Sequence, residues 1–363
     1  MSSLDSFRKK LSEKHKDKMS FFQPMSESAF FKDSKEFVNE VPILNLPFTG
    51  SLRRGYKAGL CMIAGPSKHF KSLLSLVTLK AYMDTYDEAR MVFFDCEFGS
   101  SLSYFKSVGI DPEKVLHVPV TSIEEFRHYA LTLLDGIELG DKVCMYVDSI
   151  GNMASRKEVQ DAIDDKTAAD MTRAKVIKSA FRGITPLLNL HHIPMVVINH
   201  VYDEMSGGPY AKTVVSGGQG IYLSSNEVFT MGRRQRKDTT TNEITGYDFI
   251  LNVDKSRGCR EKTKCVLEID YKKGMNKYSG LFEIAESVGW VVAPKQGWYS
   301  RVINGVREEK SWRKKDMSTD AFWNDILACD AFHEAVEREY STAGGSITGE
   351  SLNDVPNDLE SLD

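Results

Sequence analysis

The stretch Met62-Ile63-Ala64-Gly65-Pro66-Ser67-Lys68-His69-Phe70-Lys71-Ser72-Leu73-Leu74 constrains this chain more than any other part of it. It reads as a buried apolar strand, then a tight loop, then the first turn of a helix. Gly65, Lys71 and Ser72 meet the pattern G-x-x-x-x-G-K-[ST]. Glycine there permits the turn, the lysine reaches the β/γ-phosphates of a nucleotide, and the hydroxyl ligates Mg²⁺. Pro66, Ser67, Lys68 and His69 form the body of the loop, and Phe70 stands where the pattern wants its second glycine. A phenylalanine does not easily take positive φ, so Pro66 and packing of the Phe70 ring must hold the loop. The motif alone does not decide between a nucleotide site and a chance Gly-Lys-Ser loop; the residues downstream must.

With 363 residues, 41% of them apolar, the chain can bury an α/β core plus a smaller satellite, which points to two domains. Its 47 basic and 51 acidic side chains leave a net charge of −4, so no global basic field advertises nucleic acid and any polyanion site must be local. Cys61, Cys96, Cys144, Cys259, Cys265 and Cys329 include no C-x-x-C pair, and three lie in apolar strand-like runs. Reduced core residues of a cytoplasmic protein fit that usage. Arg8, Lys9 and Lys10 precede no apolar run, and no stretch of 18 apolar residues occurs, which speaks against secretion and membrane insertion.

Residues 4 to 18 place Leu4, Phe7 and Leu11 at helical spacing among six basic residues, which predicts a short basic helix. Phe21, Phe22, Phe30 and Phe31 follow on an arm that needs a surface to cover, either the parent core or a neighbouring subunit. From residue 59, apolar runs at 59–64, 90–96, 115–120, 142–148 and 193–199 alternate with helical patterns at 71–85, 101–108, 122–139 and 168–190. Such alternation predicts a mostly parallel, twisted α/β sheet covered on both faces. Runs at 227–232, 247–253 and 265–271 are spaced as antiparallel additions to its edge. Residues 279–340 read as a small C-terminal α+β domain: a helix at 281–288, aromatic strands around Trp290 and Trp298, and a final helix containing Phe322, Trp323, Phe332 and Tyr340. Beyond residue 340, five acids and no base predict a disordered acidic tail.

The run Val143–Asp148 ends in a carboxylate, as a strand holding the Mg²⁺ shell beside a phosphate loop does; the alternative is a carboxylate that merely caps the next turn. Asp95 and Glu97 share one face of the run before it. Glu97, at the strand end where ligands sit in open α/β sheets, is placed to align a water for attack on the γ-phosphate, and Asp95 to support the turn. Between Val201 and Ile221, five glycines argue against helix and strand alike and predict a mobile loop. Tyr202, Tyr210 and Lys212 on it offer the aromatic faces and charge that single-strand binders use. Arg156 and Lys157 on the polar segment 154–166, then Arg173 and Lys175 on the next helix, are further DNA candidates, among which several charges are solvated face.

The order of these elements resembles the RecA family of recombinases, and within it the UvsX-type recombinases of T-even-like phages. The resemblance rests on Gly65-Pro66-Ser67-Lys68-His69-Phe70-Lys71-Ser72, Glu97-Phe98-Gly99, Asp148-Ser149-Ile150-Gly151-Asn152, Asp170-Met171-Thr172-Arg173-Ala174-Lys175, Ile198-Asn199-His200 and Glu309-Lys310-Ser311-Trp312-Arg313, spread over nearly the whole chain. It implies a RecA-like ATPase core at 51–278, preceded by a subunit-contacting N-terminal arm at 1–50 and followed by the C-terminal domain at 279–340 and the tail at 341–363. It implies an ATP- and Mg²⁺-dependent helical filament on single-stranded DNA that pairs with homologous duplex and exchanges strands, served by a phage single-strand-binding protein and a mediator. Lys71 and Ser72 would hold phosphate and Mg²⁺, Asp148 the metal shell, and Glu97 would activate water. Tyr104 falls where the family stacks an aromatic ring on adenine, and His200 where RecA has a glutamine that senses the γ-phosphate. Lys255 and Arg257 match the position from which a neighbouring subunit reaches the phosphates. The alternatives are a hexameric replicative helicase motor, which normally carries a larger N-terminal domain, and a mediator that binds ATP without hydrolysing it.

Overall fold

Period-two alternation within five apolar runs sorts their side chains onto two faces of one sheet. In the computed structural model, which describes residues 3–14, 23–28, 35–138, 140–166, 172–203, 213–238, 240–303 and 305–342, these runs are strands β1 (Gly59–Ala64), β2 (Arg90–Asp95), β3 (Val115–Pro119), β4 (Val143–Asp148) and β5 (Pro194–Asn199). Cys61, Ile63, Phe93, Tyr146 and Ile198 point to one face, where Leu74, Leu79 and Tyr82 of the Lys71–Thr85 helix cover them. Leu60, Met62, Phe94, Val147 and Val197 point to the other, beneath Phe126 of the Ile123–Gly136 helix and Phe181 and Ile184 of the Thr172–Leu190 helix. Burial on both faces is why β1, β2, β4 and β5 read as continuous apolar runs, whereas β3, at the sheet edge, is only partly buried.

A hairpin of β6 (Val201–Asp203) and β7 (Thr213–Val215) follows β5. Then come β8 (Glu227–Lys237), β9 (Ile244–Lys255), β10 (Lys264–Asp270) and β11 (Gly274–Met275), giving a nine-stranded sheet in the order β11-β10-β9-β8-β1-β5-β4-β2-β3. One expectation changes here. β8 is not an antiparallel edge addition; it pairs in parallel with β1, and the antiparallel pairing begins between β8 and β9. The C-terminal ends of β1, β5, β4 and β2 therefore lie side by side, with Ala64 opposite Asn199 and Asp95 opposite Asp148. That row of strand ends is where ligands bind in open α/β sheets.

The C-terminal region holds the Leu281–Ser287 helix and a small sheet of β12 (Val291–Lys295), β13 (Trp298–Ile303) and β14 (Val306–Arg307). The single final helix expected from sequence is two, Asp320–Leu327 and Asp330–Tyr340. The Leu327 carbonyl accepts from Arg53 Nη2 (3.2 Å) and His333 Nε2 (2.8 Å), and Cys329 turns extended. The polar segment after β4 is also helical, at Arg156–Ile163, because Ser155 and Glu158 form a reciprocal capping box at its start. The N-terminal helix spans Ser3–Lys14. Phe21, Phe22, Phe30, Phe31, Tyr210, Lys212 and residues 343–363 of the acidic tail lie outside the described residues. Among the described residues, no helix is long and apolar enough to cross a membrane.

Candidate nucleotide site

The loop after β1 carries two residues in the left-handed conformation, Lys68 (φ 59°) and Phe70 (φ 64°). Phe70 thus takes the geometry that its glycine-preferring position demands, and its ring stacks on Phe249 at 4.9 Å, an anchor that holds the strained turn. At Gly65 a Cβ would approach the Met231 Cβ to 3.0 Å, so the loop passes close over β8. His69 Nδ1 bonds the Ser67 carbonyl (2.8 Å), and Arg233 holds the Lys68 carbonyl (3.1 Å). Pro66, Ser67 and the Lys68 side chain are exposed.

Lys71 is 6% exposed and donates from Nζ to the Pro66 carbonyl at 2.8 Å. Burial lowers its pKa, with Asp148 and Glu97 opposing that shift. Beside it, Asp148 Oδ2 accepts from Tyr146 Oη (2.6 Å), Ser72 Oγ (3.1 Å) and Ser100 Oγ (3.4 Å). Burial pushes the Asp148 carboxyl up. Among the described residues only hydroxyls bond this carboxylate. A buried carboxylate with the half-buried hydroxyls of Ser72 and Ser100 beside it is a set of hard oxygens that suits Mg²⁺, which favours carboxylate, hydroxyl and phosphate oxygen.

Glu97 stands across the strand ends from Lys71. One of its oxygens, Oε1, accepts from Asn152 Nδ2 (2.9 Å), His200 Nε2 (2.9 Å) and Ser149 Oγ. The His200 bond lowers the Glu97 pKa most; burial opposes it and Ser149 adds to it. Asp95, 3% exposed, supports the turn as the sequence suggests: its Oδ1 accepts from the backbone N–H of Glu97 (3.2 Å) and Phe98 (2.8 Å). Cys96 locks β2 to β4 through both backbone groups of Ser149, and burial pushes its thiol up to about 12, so it is a structural thiol. Tyr104 is 41% exposed on the Leu102–Ser107 helix.

Other predicted site residues fall elsewhere. Arg173 spends its guanidinium on the protein, donating to the carbonyls of Gly151 (2.6 Å), Met153 (2.8 Å) and Ile150 (3.2 Å) and to Ser216 Oγ (3.3 Å). Lys255 and Arg257 do not present their cations together. Lys255 Nζ is tied to the carbonyls of Ser225 (2.6 Å), Tyr222 (3.1 Å) and Leu223 (3.2 Å), at the end of the Gln219–Ser224 helix, while Arg257 is exposed. Arg156 and Lys175 are exposed, Lys157 pairs with Asp161, and Tyr202 is 55% exposed on β6. The glycines after β7 have a packing reason: a Cβ at Gly217 or Gly220 would strike Ile177 (2.8 Å) or Lys178 (2.6 Å) on the Thr172–Leu190 helix. Ser100, Tyr146, Ser149 and Asn152 escaped sequence reasoning. Only the proximity of Ser149 and Asn152 to Asp148 in the chain signals the last two.

Across 322 residues the chain is 41% identical to the recombination and repair protein of Enterobacteria phage T4, over 87% of this chain and 81% of that protein. This chain belongs to the family of that protein. The family described as "Bacteriophage T4, Recombination and repair protein, C-terminal domain" matches residues 278–336. Protein RecA of Mesomycoplasma hyopneumoniae is 23% identical over 248 residues, covering 67% of this chain and 70% of that one. A crystal structure of the RadB recombinase aligns at 16% identity with a TM-score of 0.44, covering 61% of this chain and 92% of that chain.

Proposed function

We propose that the chain is an ATP-dependent recombinase that forms helical filaments on single-stranded DNA and exchanges strands with homologous duplex in phage recombination, repair and recombination-dependent replication. The observation that carries this reading is the meeting of Glu97, Lys71 and the Ser72–Asp148 pair at the C-terminal ends of β2, β1 and β4 in a chain of this family. Lys71, already buried, exchanges the Pro66 carbonyl for β/γ-phosphate oxygens. Ser72 and Asp148 would hold Mg²⁺, which would supply neutralisation of the charge on the transferring phosphate. Glu97 keeps Oε1 for its three protein donors and offers Oε2 to the attacking water, orienting it in line. Tyr104 packs on the adenine. The exposed Arg257 reaches the γ-phosphate of a neighbouring subunit, whereas Lys255 stops the Gln219–Ser224 helix and so supports the turn that carries Arg257.

DNA contact is assigned to Tyr202, Tyr210 and Lys212 after β5, with Arg156, Lys157 and Lys175 alongside. The N-terminal arm covers a neighbouring subunit, and residues 279–340 form the small C-terminal domain. A single-strand-binding protein and a loading mediator are the further partners. ADP is the proposed product; AMP as a second product is implied by the resemblance to UvsX-type enzymes alone and by no residue of this chain. Phosphate release stimulated by single-stranded DNA tests the reading: wild type should respond, and Lys71→Ala should neither turn over ATP nor assemble with nucleotide. Turnover by Lys71→Ala at the wild-type rate would refute the site, and nucleotide binding by wild type without turnover would return the mediator alternative.

A further inference from the structure

Arg173 has no direct contact with Glu97, yet it lies on a continuous path to it. Its Nε and Nη2 hold the carbonyls of Ile150, Gly151 and Met153, the turn after β4, and Asn152 on that same turn donates to Glu97 Oε1 at 2.9 Å. The other side of the guanidinium meets Ser216 Oγ at 3.3 Å. Ser216 is itself fixed at both backbone groups, its N–H donating to the His200 carbonyl (2.9 Å) and its carbonyl accepting from Asn199 Nδ2 (2.9 Å). The spacing between these parts is tight. A Cβ on Gly151 would lie 2.8 Å from His200 Cδ2, and one on Gly217 would lie 2.8 Å from Ile177, one helical turn beyond Arg173. A displacement of Ser216 would therefore pull on Arg173 and, through its bonds to the carbonyls, on the turn carrying Asn152.

We infer that Arg173 is a positioning residue for hydrolysis: it ties Ser216, where the glycine-rich segment closes, to the Asn152 turn, and through Asn152 fixes the Glu97 carboxylate. This is a second route from that segment to Glu97, running parallel to the direct His200 contact. It rests on the reading of Glu97 as the residue that orients water. It also removes Arg173 from the DNA surface, because donors spent on carbonyls are not offered to phosphate.

The experiment measures ATP turnover with saturating single-stranded DNA, and DNA affinity against salt, for Arg173→Lys, Arg173→Met, Asn152→Ala and the Arg173→Lys/Asn152→Ala double variant. A lysine reaches one carbonyl where the guanidinium holds three. Arg173→Lys and Asn152→Ala should each lower kcat about tenfold with KM for ATP unchanged, and the double variant should be no slower than the slower single, as expected for two links of one path. Arg173→Met should leave the log–log salt slope of DNA binding unchanged; a slope shallower by about 0.7 would make Arg173 a phosphate contact and overturn the inference. Asn152 is exposed, so Asn152→Ala keeps the test alive if an Arg173 variant fails to fold, and wild-type kcat in Asn152→Ala would equally overturn it. Glu97→Gln run in parallel separates the two claims. If Glu97→Gln turns over normally, the reading of Glu97 fails; if it is slow while Arg173→Lys is not, only the role of Arg173 fails.

Discussion

Glu97 carries its three donors on one oxygen, which fixes the plane of the carboxylate and leaves Oε2 to the water of the proposed reaction. Glu97→Gln keeps the shape and loses the charge. It should retain ATP and DNA binding while slowing hydrolysis by roughly 10²–10⁴-fold, and loss of binding together with hydrolysis would make the residue structural. Phe70 presents a different balance. Its left-handed backbone costs roughly 1–2 kcal/mol for a side chain with a Cβ, and its ring recovers part of that on Phe249. Phe70→Ala keeps the strain and loses the ring, whereas Phe70→Gly loses both. Urea unfolding should therefore find Phe70→Ala less stable than Phe70→Gly by about 1 kcal/mol. Equal stabilities would mean that the backbone is unstrained.

At the scale of elements, the site is assembled from turns that leave neighbouring strand ends. The 150–152 turn after β4 crosses the end of β5 so closely that a Cβ on Gly151 would meet His200 Cδ2 at 2.8 Å, Asn199 Oδ1 at 2.9 Å and His200 N at 3.0 Å. Gly151→Ala must push the turn away from β5 and carry Asn152 with it. A displacement approaching 1 Å lowers kcat by about a hundredfold, to be read in steady-state hydrolysis with nucleotide affinity measured alongside. If Gly151→Ala hydrolyses at the wild-type rate, the turn has more freedom than its contacts allow. The capping box at Ser155 and Glu158 shows how an element can be legible in hindsight: the S-x-x-E spacing was present, but the charge-rich residues after it lack the apolar stripe that marks a helix against a core.

Across the whole molecule, one apolar cluster runs from the sheet face under the Lys71–Thr85 helix through Leu44 and Leu281 to Trp323, Phe332 and Val336, so the C-terminal helices share a core with the sheet. Glu227 opens β8 inside this packing, 7% exposed, and burial raises its carboxyl from 4.5 to about 8. Between those values the unfolded chain has released the proton that the native state keeps. Native stability should therefore fall as pH rises from about 4.5 toward 8, with most of the change complete above the native value. Glu227→Gln should flatten that slope and stabilise the protein at pH 8, as denaturant midpoints across the range would show. An unchanged slope would mean that the native carboxyl is already ionised.

The loop after β1, the carboxylates at the ends of β2 and β4, and the five parallel strands were legible in sequence, because each depends on local chemistry: a glycine turn before a Lys-Ser pair, an acid closing an apolar run, a period of two. Strand order, the parallel pairing of β8 with β1, and the break between the two last helices depend on which surfaces meet. Pattern does not encode that. The same limit decided the cations. Lys255, Arg257 and Arg173 look alike as charges in a sequence, but a lysine at a helix end meets three carbonyls, an arginine beside a tight turn meets three more, and only Arg257 of the three is left exposed. Local composition says that a charge is present; the carbonyls and carboxylates brought to it by distant segments determine whether it acts on the protein or on a ligand.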